Sequence, residues 1–343
     1  MKAYEVNQTA GILLNANESP YPLPASIREE IKARIDSVAF HRYPEDSAKA
    51  LCDAYANYLN IKSDQIMFGN GSDEMIGLLI SIYIQRGKRV YTMQPDFSMY
   101  DYYTAMHEGI MIPYRCDAGA KFSVSDFIAY GKQNAVDLIL FSNPNNPTGR
   151  CLSPSEIHQI LDAFSDIPVI IDEAYGEFAQ VSVVADTQKY DHLIVLRTLS
   201  KAFGIAALRC GCMITNAALM KRIRTYKVPY NVNSLTQMIA EILLSHHEIM
   251  EANVKQIIGQ REQLYEALQA FTTSDFTLYP SHANFLYGIT TRKRELLDAL
   301  KQRHIQIRNY ENNNAFRITI GTNDENALVK EAFAEVFPHK EVL

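Results

Sequence analysis

Short apolar runs alternate along the chain with longer stretches whose apolar positions recur every three or four residues, the mark of strands alternating with amphipathic helices. The runs predict strands at Gln65–Phe68, Arg89–Met93, Gly109–Pro113, Asp137–Phe141, Pro168–Ile171, His192–Leu196 and Arg209–Thr215. Between two of them, Ser153-Pro154-Ser155-Glu156 has capping-box spacing with proline at the first helical position, so a helix carrying Ile157–Phe164 starts there. Another helix is predicted from Ser72-Asp73-Glu74 through Tyr83. The pattern predicts an α/β fold, and the absence of any tandem repeat excludes a solenoid. Only about ten residues separate Lys201 from the next strand, too few for a parallel crossover. Strand 209–215 is therefore expected antiparallel to its predecessor, with Lys201 in the connecting turn.

Three apolar runs end in polar groups. Asp137–Phe141 leads into Ser142-Asn143-Pro144-Asn145-Asn146-Pro147-Thr148-Gly149, Pro168–Ile171 into Asp172-Glu173-Ala174-Tyr175, and His192–Leu196 into Thr198, Ser200 and Lys201. The carboxyl edge of an open α/β sheet is where ligands bind. A lysine at the end of a buried strand is costly to desolvate unless something uses it. One use is a Schiff base with a carbonyl cofactor, and a surface turn lysine is the plain alternative. The segment Phe68-Gly69-Asn70-Gly71-Ser72-Asp73-Glu74 closes a strand and opens a helix, so its free amides and the helix dipole could face a phosphate. It matches neither a Walker loop nor the dinucleotide fingerprint, and an ordinary glycine turn remains the alternative.

Composition narrows the function classes. With 343 residues the chain can hold two domains and a large core. It is 47% hydrophobic and 21% charged, and its net charge of -6 argues against nucleic acid, which requires a basic patch. No apolar h-region follows Met1-Lys2, and the longest apolar stretch, near Ile76–Ile84, is too short to span a bilayer. The five cysteines are odd in number and scattered, which suggests a reducing, cytoplasmic setting and no membrane partner. Dispersed histidines give no metal-ligand spacing, and Cys210 and Cys212 read as alternate core positions of one strand.

The order and spacing of the motifs resemble the class I/II aminotransferases that use pyridoxal phosphate, most closely the histidinol-phosphate branch. The resemblance runs over essentially the whole chain: Leu14-Asn-Ala-Asn-Glu-Ser-Pro-Tyr21, Arg42-Tyr43-Pro44, Gly69–Glu74, Asn143–Gly149, Asp172–Tyr175, Ser200-Lys-Ala-Phe-Gly204, Arg209 and Phe316-Arg-Ile-Thr-Ile-Gly-Thr322. It implies a fold-type-I transferase: a mostly parallel sheet with helices on both faces in a large domain at 30–235, and a smaller α+β domain from 1–29 and 236–343. Matched residue by residue, Lys201 would hold the cofactor and then shuttle the substrate proton, and Asp172 would pair with the ring nitrogen. Tyr175 and Asn146 would hydrogen-bond the phenolic oxygen, and Phe97 would stack on the ring. Gly71, Ser72, Asp73, Thr198, Ser200 and Arg209 would hold the phosphate. Tyr43 would reach the phosphate of a neighbouring subunit, which implies a homodimer.

Arg317 would grip the substrate anion, with Arg308 as a second cation for a phosphate ester, and Tyr21 and Asn17 would line the same pocket. The implied reaction interconverts L-histidinol phosphate and 2-oxoglutarate with imidazole acetol phosphate and L-glutamate. Taken singly, each residue also has a plain structural reading: Asp172 as a turn cap, Tyr175 and Phe97 as core, Arg209 paired with a carboxylate, Tyr43 as a turn residue, Arg308 as a solvated charge. Their joint occurrence on one predicted edge favours the functional reading. Two departures from the family pattern stand out, Ala207 in place of a glycine and a short stretch between Arg308 and Arg317. An aromatic or other amino-acid aminotransferase, a phospho-amino-acid decarboxylase of the threonine-phosphate type and a cofactor-binding regulator are the alternatives.

Overall fold

The computed structural model describes residues 11–116, 118–119 and 122–337. Its strands in chain order are β1 (Ile12–Leu14), β2 (Ile66–Asn70), β3 (Arg89–Gln94), β4 (Ile110–Arg115), β5 (Leu138–Ser142), β6 (Val169–Asp172), β7 (Leu193–Thr198), β8 (Cys210–Ile214), β9 (Phe276–Tyr279), β10 (Phe285–Thr290), β11 (Ile305–Asn309) and β12 (Ala315–Thr319). Among the described residues they form a seven-stranded sheet ordered β2-β8-β7-β6-β5-β3-β4 and a five-stranded sheet ordered β1-β11-β12-β10-β9.

The larger sheet is parallel from β4 through β7 and antiparallel at β7–β8 and β8–β2. Strands β5 to β8 are buried at every position because alternate side chains enter two different cores. Leu138, Leu140, Ile170, Ile194 and Leu196 pack against Ile76, Leu79 and Ile80 of the helix Ser72–Tyr83. Ile139, Phe141, Val169, Ile171 and Val195 pack with Ile157, Ile160 and Leu161 of the helix Pro154–Ala163 on the other side. Helices on both faces of a mostly parallel sheet match the fold class expected from the sequence. The capping box forms as read, with Ser153 Oγ accepting from the Glu156 amide and Glu156 Oε2 accepting from the Ser153 amide.

The predicted strands agree with those observed to within a residue or two. The clearest difference is Arg209, expected to open a strand. It takes a left-handed conformation with φ 50°, so β8 begins at Cys210 and the arginine is turned out of the ladder. The turn between β7 and β8 carries Lys201, with β8 antiparallel to β7 as the short connection requires.

In the smaller sheet β1 pairs in parallel with β11, Ile12 opposite Ile305, so the N-terminal arm is bound into the C-terminal segment. The larger sheet lies within 66–214 and the smaller one takes its strands from 12–14 and 276–319. Of the expected smaller domain, residues 1–10 and 338–343 lie outside the described residues.

Candidate active site

The carboxyl ends of β5, β6 and β7 meet the N-terminus of the helix Ser72–Tyr83 and the inner face of the smaller sheet. Asp172, the last residue of β6, is 3% exposed. Its Oδ2 accepts a hydrogen bond from Tyr100 Oη at 2.8 Å and its Oδ1 one from the Ala174 amide at 3.1 Å. Burial raises its pKa to about 6, against the pull of these two donors. Tyr100 stands three residues after Phe97, and their rings meet edge to face at 5.6 Å. Sequence reasoning assigned Tyr100 no role. It belongs to the helix Met99–Met106, which follows the end of β3, and its only signal was membership of the segment Pro95–Tyr100.

Asp96 was missed for the same reason. It accepts from the Ser142 hydroxyl and amide and from the Phe97 amide, and burial pushes its carboxyl up to about 8. Ser142 lies opposite Asp172 in the β5–β6 register, so Asp96 and Asp172 flank the same strand ends. Ser142 Oγ also accepts from the Asn146 amide at 2.9 Å, which fixes the loop that carries Asn146.

The N-terminal arm ties three candidate residues together. Lys201 Nζ donates to the Ala16 carbonyl at 2.7 Å, Arg317 Nη2 to the Asn15 carbonyl at 2.8 Å, and Asn17 Nδ2 to Tyr175 Oη at 2.8 Å. Burial lowers the Lys201 pKa to about 8, and the nearby Arg317 and Arg209 guanidinium groups push it the same way. A neutral amine is thus accessible near neutral pH, as a nucleophile or base requires. Tyr175 is held up at about 12 by burial, although Arg317 and the Asn17 donor favour its anion.

A group of polar donors lies near Lys201, whose amine feels the charges of Arg209 and Asp73. Gly71, at φ 86°, starts the helix Ser72–Tyr83 with no side chain capping its first amides. A Cβ on Gly71 would stand 2.8 Å from Arg209 Nη2, so the glycine lets the guanidinium lie flat against the loop. Arg209 bonds Asp73 Oδ2 at 3.0 Å, the carboxylate pairing that its plain structural reading anticipated. Thr198 Oγ1 accepts from the Ser200 amide at 3.2 Å, and Ser200 Oγ is buried without a partner. An orphaned hydroxyl beside uncapped helix amides and an arginine is the donor set of an anion site.

Arg317 is 7% exposed, lies over the Phe285 ring at 5.1 Å, donates to Asn146 Oδ1, and leaves its Nε buried without a partner. Directly opposed residues form a row across the smaller sheet: Tyr279 faces Tyr287, Tyr287 faces Arg317, and Arg317 faces Arg308. The row brings two guanidinium-bearing residues to directly opposed positions of neighbouring strands. Two expected pocket residues sit differently. The Tyr21 hydroxyl donates to Gln260 Oε1 at 3.1 Å, on the helix His247–Gln269. Asn17 is 1% exposed and enclosed by Tyr175, Thr319 and Asn284, so it braces the site from within. Tyr43 lies apart, 81% exposed and stacked on Tyr230 at 4.7 Å.

Comparison with known proteins gives this arrangement a family. The model of the class I and II aminotransferases matches residues 9–333. The histidinol-phosphate aminotransferase of Clostridium kluyveri is 37% identical over 321 residues, covering 93% of this chain and 91% of that protein. That of Pyrococcus furiosus is 35% identical over 329 residues, covering 94% and 92%. The crystal structure of the histidinol-phosphate aminotransferase from Clostridium acetobutylicum superposes with a TM-score of 0.85 at 25% identity, covering 95% of this chain and 98% of that one. A match over nearly the whole chain, at 37% identity to one relative and with the same fold as a solved one, means that this chain belongs to the aminotransferase class I and II family.

Proposed function

We propose that the protein is a pyridoxal-phosphate-dependent histidinol-phosphate aminotransferase. It transfers the amino group between L-histidinol phosphate and 2-oxoglutarate, giving imidazole acetol phosphate and L-glutamate. The observation that carries the substrate assignment is the opposed pair Arg308 and Arg317. One guanidinium suffices for a carboxylate, whereas a second cation suits a phosphate dianion, and the curated relatives above carry the same name.

The residues fit the cofactor. The orphaned Ser200 hydroxyl, Thr198, the amides of Ser72 and Asp73 behind Gly71, and Arg209 would hold its phosphate. Asp172 would bond its ring nitrogen, Tyr175 and Asn146 its phenolic oxygen, and Phe97 would cover a ring face. When bound, the cofactor supplies an electron sink for charge at the substrate α-carbon. The remaining work belongs to the chain. Asp172, with Tyr100 donating to it, holds a proton at the ring nitrogen. Lys201 would anchor the cofactor, and once freed its neutral amine would take the proton from the substrate α-carbon and deliver it to the cofactor's carbonyl carbon. Arg317 aligns the substrate anion while Asn15 and Asn146 fix its guanidinium.

The enzyme would act as a homodimer. Tyr43 and its stacking partner Tyr230 are exposed, as are Phe40, Tyr226 and Val228, and such surface is rare on a monomer. The large domain would comprise 30–235, and the arm and C-terminal part the small domain. The free thiols suit a reducing compartment such as the cytoplasm, and among the described residues no helix is long and apolar enough to cross a membrane.

Single-turnover mixing of the cofactor-loaded enzyme with histidinol phosphate, tyrosine or threonine phosphate tests the assignment. Rapid loss of cofactor absorbance with histidinol phosphate and little with tyrosine is expected. Preference for tyrosine, or release of carbon dioxide from threonine phosphate, would overturn it.

A further inference from the structure

Behind the site, on the face of β7 opposite Thr198, lies a buried cluster that the reaction does not use. Arg197 Nη2 bonds Glu173 Oε2 at 2.8 Å and Ser182 Oγ at 2.9 Å, and its Nη1 bonds Glu177 Oε1 at 2.8 Å. The three charged side chains are 6%, 1% and 5% exposed. Glu173 also accepts from the Val183 amide at 2.7 Å and from Ser182 Oγ at 2.8 Å.

The cluster is a poor device for stability. Two carboxylates share one guanidinium, and Arg197 Nε, Glu177 Oε2 and the neighbouring Tyr55 hydroxyl are buried without partners. Buried ion groups of this kind are often matched or bettered by apolar side chains of similar volume. What the cluster does achieve is geometric. Glu173 follows Asp172 and Glu177 comes two residues after Tyr175, whereas Arg197 immediately precedes Thr198. In the β6–β7 register Asp172 faces Leu196, so Glu173 and Arg197 come next on the reverse face. A Cβ on Gly176 would lie 3.0 Å from the Arg197 guanidinium, so the turn after Tyr175 is pressed flat onto it. One planar group therefore locks the ends of two strands against each other, one bearing the ring-nitrogen partner and the other the start of the phosphate cradle.

We infer that Arg197 is a positioning residue: through Glu173 and Glu177 it sets Asp172 and Tyr175 at a fixed distance from Thr198, Ser200 and Lys201, so that cofactor ring and phosphate are gripped together. This rests on the cofactor assignment above.

Two variants test it, Arg197→Lys, which keeps the charge and loses the fork, and Arg197→Met/Glu173→Gln/Glu177→Gln, which removes all three charges. Both are compared with wild type by thermal denaturation, by fluorescence titration of apoenzyme with pyridoxal phosphate, and by visible circular dichroism of the bound cofactor. Arg197→Lys is expected to bind the cofactor about tenfold more weakly, the scale of one charge-assisted hydrogen bond, with an altered dichroic band. Its kcat should fall while KM for each amino donor stays near wild type, because Arg308 and Arg317 are untouched. The triple variant is expected to melt no lower than Arg197→Lys and still to bind cofactor weakly. Wild-type affinity and dichroism in Arg197→Lys, whether or not the triple variant folds, would overturn the inference. Absence of cofactor binding by wild type would instead overturn the cofactor assignment.

Discussion

Tyr100 donates its hydroxyl hydrogen to Asp172 Oδ2 at 2.8 Å, and both groups are buried. The bond stabilises the ionised carboxylate, the form that a protonated ring nitrogen requires. In Tyr100→Phe that donor is lost, so the Asp172 pKa moves up from about 6. The acidic limb of the kcat profile should then shift to higher pH, and kcat at neutral pH should fall about tenfold. A rate profile measured from pH 5 to 9 decides it, and an unmoved acidic limb would show that Tyr100 does not tune the aspartate.

Lys201 has its pKa lowered to about 8 in the folded chain, against an ordinary 10.5. Between those values the unfolded chain binds the proton and the folded chain does not, so stability rises with pH there. Below about 8 both forms carry the proton and the burial cost is undiminished. Lys201→Met apoenzyme should therefore be more stable than wild-type apoenzyme at pH 7, by about 1–3 kcal/mol, with the gap closing toward pH 10. Denaturant titrations at several pH values measure this. The same variant should lose nearly all turnover while still taking up pyridoxal phosphate.

Gly71 combines φ 86° with a Cβ position 2.8 Å from Arg209 Nη2. Gly71→Ala must strain the loop or displace the arginine, and either loosens the phosphate cradle. Cofactor affinity should drop about tenfold, and the apoenzyme should lose about 1–3 kcal/mol of stability to the strained loop. Equilibrium dialysis with pyridoxal phosphate gives the answer, and an unchanged affinity would place the phosphate elsewhere.

Arg317 and Arg308 face each other, and their losses should differ. Arg317→Ala should raise KM by about 10- to 100-fold for glutamate and histidinol phosphate alike. Arg308→Ala should penalise the phosphate ester more than glutamate. If Arg317→Ala harms only one donor, dual use of that arginine is wrong.

The central strands of the larger sheet were legible because burial on both faces writes each as an unbroken apolar run, and the residues that end those runs, Asp172 and Lys201, stand out as polar arrests; the strands of the smaller sheet lack that signal and were not among those predicted. Helix starts were legible where local chemistry decides them, as at Ser153. Tyr100 was not legible. It acts across 72 residues, and nothing in a helix's first turn announces which strand end its hydroxyl will meet. Arg197 was hidden inside an apolar strand, and its partners become apparent only when β6 and β7 lie side by side. The bond from the Tyr21 hydroxyl to Gln260 was not legible either, because a motif match gives proximity along the chain but not the partner of a side chain 239 residues away.

The pairing of β1 with β11 sets an order on biosynthesis. Arg317 meets Asn15 across 302 residues, Lys201 meets Ala16 across 185, and Tyr175 meets Asn17 across 158. The arm is made before the larger sheet and its strand partner after it, so the arm finds its place only once β11 exists. The larger sheet can assemble during synthesis, but Lys201 and Arg317 gain their carbonyl partners only when the ends of the chain come together. An enzyme built this way stays unfinished until β11 and β12 have been made, so a chain truncated before β11 would keep Asp172, Tyr175 and Lys201 and still lack the strand that seats the arm beside them.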